Sequence, residues 1–137
     1  MAGETVLMFL NGTAMTGQKD HGAVGNARFL GEIATAPTYR FYAVRDEFPG
    51  LVPVSSGGTS IVGELYEMEL EVWRDSLLPS EPEELVPGMV VLVDGREARV
   101  MTLELGRVTP GDKLVDISEL GSWRRYQARI RGEGRAT

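Results

Sequence analysis

Apolar residues occupy almost every position of Thr5–Leu10 (TVLMFL), which predicts a first strand covered on both faces. The run stops at Asn11-Gly12-Thr13, and a further glycine follows at Gly17, so a turn of small residues ends the strand. Gln18–Ala27 is polar and small, with room for one short helix. Arg28–Thr35 and Thr38–Val44 predict two strands joined at Ala36-Pro37, because proline lacks a ladder donor and belongs at a strand start or edge. Phe48-Pro49-Gly50 and Ser55-Ser56-Gly57-Gly58 read as turns, which leaves Leu51–Val54 as a short edge strand. Thr59–Leu70 carries the longest strand pattern, with Ile61, Gly63 and Leu65 on one face and Val62, Glu64 and Tyr66 on the other.

Glu71–Leu78 is long enough for a two-turn helix before Pro79. The segment SEPEELVPG reads as a polar loop bounded by prolines. MVVLVDG and EARVMTLEL form a hairpin pattern around Asp94-Gly95, a favoured turn pair. A last helix is expected at Ser122–Arg131, with Ser122 as its N-cap and Trp123, Tyr126 and Ile130 recurring on one helical face. Such a stripe is a docking face for the core. The sum is an α+β domain: a small, mostly antiparallel β-barrel of about six or seven strands with two or three short helices.

Composition narrows the function classes. The 137 residues fit one domain, 1–137, with enough chain to bury roughly two-thirds of its unfolded surface. Net charge is −6, which argues against a nucleic-acid partner, since phosphate neutralisation needs a basic face. Arg124, Arg125, Arg129, Arg131 and Arg135 form the only basic run, and it reads as a solvated helix face and tail. With no cysteine and one histidine, His21, thiolate chemistry and multi-histidine metal sites are ruled out, and neither metal nor cofactor is expected. No apolar run approaches the roughly 20 residues of a membrane span, and no signal segment is evident. The expectation is a cytoplasmic protein without membrane contact.

Several stretches recur in an order that resembles the gamma-glutamylcyclotransferase-like (AIG2-like) superfamily. Within it, the chain is most similar to the C-terminal domain of allophanate hydrolases. Those domains carry a turn of the type Gly-x-His-Met-Ser-Gly, a Thr-x-Pro-x-Tyr-x-x-Tyr strand, a Gly-Gly strand, a Pro-x-x-Leu-x-x-Gly loop and an Asp-Gly hairpin. Their counterparts here are Gly12 to Gly17, Thr35 to Tyr42, Gly57-Gly58, Pro82 to Gly88, and Asp94-Gly95. The likeness runs from about Val6 to Glu104.

The resemblance implies a barrel in which the turn after the first strand lines a cavity. Backbone N–H groups of such a turn form an anion nest, here Asn11, Gly12 and Thr13, extended by Ala14 and Met15. Ala14 replaces the histidine that allophanate hydrolase C-terminal domains use in carboxyurea breakdown, and Asn11 replaces the aromatic residue of the cyclotransferases. Cyclotransferases also need a carboxylate base, about fifteen residues beyond the strand bearing Gly63. That offset ends near Leu78, and the acids there are Glu81, Glu83 and Glu84, with Glu81 the first candidate. A carboxyl group in a dry pocket has its pKa raised toward neutrality, as a base needs. Glu64 is the second candidate, either a base or the partner of Arg40; Tyr39 and Tyr42 flank Arg40, and one of these two rings is expected to form a cavity wall. The expected ligand is a small carboxylated amide or urea. The competing class is a non-catalytic binding or accessory protein serving a separate amidase.

Overall fold

The computed structural model describes residues 3–133. Eight strands lie among them: β1 (Thr5–Leu10), β2 (Arg28–Ala34), β3 (Tyr39–Val44), β4 (Phe48–Pro53), β5 (Val62–Glu69), β6 (Leu85–Val91), β7 (Glu97–Leu103) and β8 (Leu114–Asp116). They make one curled sheet in the order β2-β5-β1-β7-β4-β3-β8, with β6 also paired to β7. A helical segment joins β5 to β6; it consists of α1 (Leu70–Val72), a π-helical turn at Trp73–Leu77 and α2 (Leu78–Ser80). The last element is α3 (Trp123–Glu133). No helix of the described residues is long and apolar enough to cross a membrane.

β7 is the pivot. On one edge it pairs antiparallel with β6 along its whole length, from Leu85↔Leu103 to Val91↔Glu97. Its other edge is divided between two parallel partners, β1 at Met8↔Arg99 and β4 at Leu51↔Thr102. β1 continues into β5 and β2. The end of β2 then reaches the end of β6: Ala36 N–H donates to the Val91 carbonyl and Val93 N–H to the Ala34 carbonyl, each at 2.9 Å. Strands β2, β5, β1, β7 and β6 therefore curl almost into a closed barrel, which removes most of their exposed edges. β4, β3 and β8 form a wing from the far end of β7. Phe9, Phe41, Leu51, Ile61 and Trp123 fill the core, and Tyr126 lies beside Trp123 on α3. Ser122 caps that helix, its Oγ accepting from Arg125 N–H at 3.3 Å.

The structure departs from the sequence pattern in five places. Phe48-Pro49-Gly50 is not a turn but the start of β4, an interior strand rather than an edge. The turn lies one step earlier, at Arg45 and Asp46, both in the left-handed region (φ 52° and 59°). Side chains normally disfavour that region. Here Arg45 is held by Glu84 at 2.8 Å and Asp112 at 2.9 Å, and Asp46 by Lys113 at 2.7 Å and by the Tyr126 hydroxyl. The loop SEPEELVPG ends early, because Leu85–Val91 already runs as β6; Pro87 is tolerated there on an outer strand. The helix before Pro79 contains a π turn, with Leu78 N–H donating to the Trp73 carbonyl. Strand β8 was not expected, and α3 spans Trp123–Glu133 rather than Ser122–Arg131. Arg135 lies outside the described residues.

Gly63 tests how tightly β1 and β5 are held. A Cβ there would sit 2.5 Å from the Leu10 carbonyl oxygen and 2.6 Å from the Phe9 ring. Gly63→Ala is expected to cost about 1–3 kcal/mol by overpacking. The urea midpoint should fall with an unchanged slope. A midpoint equal to wild type would show that the two strands can part at this point.

Candidate functional site

Because β1 and β4 share one edge of β7, they must separate beyond it, and a small cavity opens in the fork. Leu10, Asn11, Gly12, Thr13 and Ala14 line it from the end of β1 and the turn after it, Phe48 and Pro49 from the start of β4, Met101 from β7, Glu81 from just after α2 and Leu85 from the start of β6. Its volume is about 20 Å³, room for one water or one end of a small molecule.

The turn uses its carbonyls and leaves its amides free. The Gly12 carbonyl accepts from Met15 N–H (3.1 Å), and that of Thr13 from Asp20 N–H (2.8 Å). The Ala14 carbonyl accepts from His21 Nδ1 at 2.8 Å; a carbonyl only accepts, so Nδ1 carries the proton. Among the described residues the N–H groups of Gly12, Thr13 and Ala14 have no acceptor. The Asn11 side chain is buried, and its Nδ2 has no partner either. Orphaned buried donors are uncommon because each costs free energy. Gly12 is not at positive φ; its missing side chain makes room for Pro49, whose Cδ would lie 2.7 Å from a Cβ. The glycine thus lets β4 come close rather than clearing a path for a ligand.

Glu81 faces the same cavity. Burial pushes its carboxyl up to about 7, and the negative charge of Asp20 adds to the shift. Asp20 is placed by its own N–H on the Thr13 carbonyl, so the turn and the shifted acid are coupled. Of the neighbouring acids, Glu83 is exposed and Glu84 is buried against Arg45.

The other sequence candidates stand elsewhere. Glu64 is buried on β5, where it accepts from Thr16 N–H at 2.8 Å and from Arg124 at 3.1 Å. Its cationic partner is Arg124 of α3, not Arg40. Arg124 also donates to the Thr16 carbonyl at 2.6 Å, and the Thr16 hydroxyl shares a hydrogen bond with Tyr66. This group pins the far end of the loop rather than lining the cavity. Arg40 pairs with Asp116 at 2.6 Å, and the Tyr39 hydroxyl accepts from Val91 N–H at 2.9 Å; neither lines the cavity. Met15 is buried in the core. The structure therefore brings together Asn11, Gly12, Thr13, Ala14 and Glu81, and separates them from Met15, Tyr39, Arg40 and Glu64. The walls supplied by Phe48, Pro49 and Met101 had no signal in sequence, since Phe48-Pro49 reads locally as a turn. No group of three or more potential metal ligands occurs among the described residues.

The family model described as the allophanate hydrolase C-terminal domain matches residues 6–128, well past the last motif legible in the sequence. No curated protein matches the chain. Among solved structures, c4763, a uropathogenic E. coli-specific protein, is 34% identical over 91% of this chain and 97% of its own, with a TM-score of 0.83. Kluyveromyces lactis allophanate hydrolase is 27% identical over 93% of this chain, with a TM-score of 0.82. This chain spans only 22% of that enzyme's length. An AIG2-like protein from Mus musculus shares the fold, at 19% identity over 72% of this chain and 77% of its own and a TM-score of 0.56.

The raised Glu81 value carries a pH prediction. The folded chain holds this proton up to about pH 7, whereas the unfolded chain loses it near 4.3. Folding is therefore favoured more at low pH, and this contribution is lost as pH rises from about 4.3 to about 7. Glu81→Gln should remove that dependence, so its thermal midpoint should gain on wild type between pH 4 and pH 8. Carboxyl NMR should place the titration near neutrality, and Asp20→Asn should lower it. A Glu81 titration near 4.3 in the wild type would overturn the assignment.

Proposed function

The chain belongs to the allophanate hydrolase C-terminal domain family, and on that premise we propose that its cavity binds and transforms one end of a small carboxylated amide or urea. The observation that carries this reading is the pairing of unmet donors with one poised acid. Three consecutive amide N–H groups and the Asn11 Nδ2 lack acceptors, and they belong to residues lining the same cavity as Glu81. Preorganised donors of this kind stabilise a carboxylate or a developing oxyanion at no reorganisation cost.

Glu81 is the general base. With its pKa near 7, a fraction is ionised at neutral pH and can take a proton from an attacking nitrogen or water, then return it to the leaving group. The cavity admits only the reacting end of the substrate, which holds that end in place and lets proximity supply part of the barrier reduction. Ala14 stands where the resembling domains have their turn histidine, so the scheme rests on Glu81 and the backbone donors alone. The relation to the K. lactis enzyme, of which this chain spans about a fifth, supports a second reading: a binding module that serves a separate amidase.

Assays with gamma-glutamyl amines and carboxyurea-type compounds separate the readings. Glu81→Gln should lower turnover about 10²–10⁴-fold with little change in affinity. Asn11→Ala should weaken binding. Chelator should leave the rate unchanged, since one histidine and no cysteine offer no rich ligand set. Binding without turnover in the wild type would favour the accessory role. Undiminished turnover in Glu81→Gln would remove Glu81 as the base. Gly12→Val is a poor probe, because its side chain would strike Pro49 before any ligand.

A further inference from the structure

Thr13 lines the cavity and also an open groove of about 670 Å³ between the turn and α3. Lys19, Arg124, Gln127 and Arg131 contribute to the groove, with Trp123 as a buried floor.

The charges of this groove do not cancel locally. Its two acids are already engaged from outside it, Asp46 by Lys113 at 2.7 Å and by Tyr126, and Glu47 by Arg45 at 3.0 Å. Lys113 and Arg45 do not line the groove. Lys19 and Arg131 enter no ion pair among the described residues, and Arg124 divides one nitrogen between Glu64 and the Thr16 carbonyl. A positive surplus thus gathers in one place on a chain of net charge −6, where it creates a local attraction for anions. Independently, Trp123, which lines the groove, carries a buried indole Nε1 that has no acceptor. A buried donor left unpaired in a basic groove is a place for a ligand acceptor.

We infer that the groove is a second anion subsite of the cavity. The ligand, on the cavity reading above, is bis-anionic: one end enters the fork between β1 and β4, and the chain passes Thr13 to a second carboxylate or similar group held by Lys19, Arg124 and Arg131. The small cavity leaves most of any ligand outside it, where the groove can hold the second charge. Neither Lys19 nor Arg131 lines the cavity, so they set affinity and choice of substrate without touching the reacting end.

The test is a titration of the ¹⁵N-labelled full chain with glutarate and, separately, acetate. Glutarate should move both the Gly12 amide and the Trp123 indole N–H signals, whereas acetate should move Gly12 alone. The double variant Lys19→Met/Arg131→Met replaces two exposed side chains; it should weaken glutarate about tenfold, roughly threefold per exposed cation, and leave the acetate response unchanged. If glutarate moves Gly12 but not the indole, or the double variant binds glutarate like wild type, the second subsite is wrong and the cavity reading stands. If the indole moves without Gly12, the groove is a separate site and the bridging ligand is wrong. If neither dicarboxylate nor acetate moves Gly12 or the indole, both readings fall.

Discussion

One strand edge shared by two parallel neighbours sets the shape of the site. β7 has only seven residues, and its free edge must serve β1 at Arg99 and β4 at Thr102. Two strands cannot occupy one hydrogen-bonding position, so they part within three residues of each other along β7. The wedge between them cannot be filled by backbone. It is closed by side chains of Phe48, Pro49, Met101 and Leu85, and at its tip by the turn after β1. Crevices where neighbouring strands diverge are where open sheets bind ligands, because backbone groups there have lost their ladder partners. The free amides of Gly12, Thr13 and Ala14 are a direct consequence.

A turn with unpaired donors needs support from elsewhere, and it comes from behind. Glu64 and Arg124 grip both backbone groups of Thr16, so β5 and α3 fix one end of the loop. His21 and the Asp20 amide fix its middle through the Ala14 and Thr13 carbonyls. All of these contacts consume carbonyls or the Thr16 amide, and none consumes the N–H groups of Gly12, Thr13 and Ala14, whose residues line the cavity. α3 in turn is seated by its apolar stripe and by Tyr126 on Asp46, which links the loop to the strained Arg45–Asp46 turn that starts β4. Both walls of the fork are thus tied to the same helix.

Strands with a strong local pattern were legible in sequence: β1, β3, β5 and the β6–β7 hairpin all fall where apolar runs and the Asp94-Gly95 turn predict, as does the docking face of α3. The left-handed turn at Arg45-Asp46 was not, because its stability comes from Glu84, Asp112 and Lys113, which lie far away in the chain. The apparent turn at Phe48-Pro49-Gly50 was misread for the same reason: Gly50 is required by the Leu103 side chain, whose Cβ would be 2.5 Å from an added methyl, not by a turn. Three residues of β8 are too few to give a pattern. The turn residues and Glu81 could be selected through a family resemblance, but period and composition alone did not distinguish Glu81 from Glu83 or Glu84. Surroundings separate the three: Glu83 is exposed, Glu84 is paired with Arg45, and Glu81 alone lines the cavity, which depends on where α2 delivers the chain. Sequence pairs Arg40 with Glu64 and sets Tyr39 beside it, yet β3 is one strand removed from the fork, beyond β4.

A carboxyl held near pH 7 can be read as base or acid, and this bears on which chemistry the fork favours. Cyclising an amide needs a proton taken from the attacking amine and later given to the leaving nitrogen; one residue of intermediate pKa can do both in turn. Breaking a carboxyurea needs protonation of a nitrogen as its carboxyl group departs, and a negative charge beside that carboxyl opposes its binding. Glu81 shares its surroundings with Asp20, and Ala14 brings no titratable side chain to the turn. The His21 ring is turned with its Nδ1 proton on the Ala14 carbonyl and so braces the turn instead of entering the cavity. Without an imidazole in the cavity, the positive field for an anionic end comes only from neutral N–H donors. Such donors serve a carboxylate or a carbonyl that gains charge during reaction, and the cations Lys19, Arg124 and Arg131 stand outside the cavity, along the neighbouring groove.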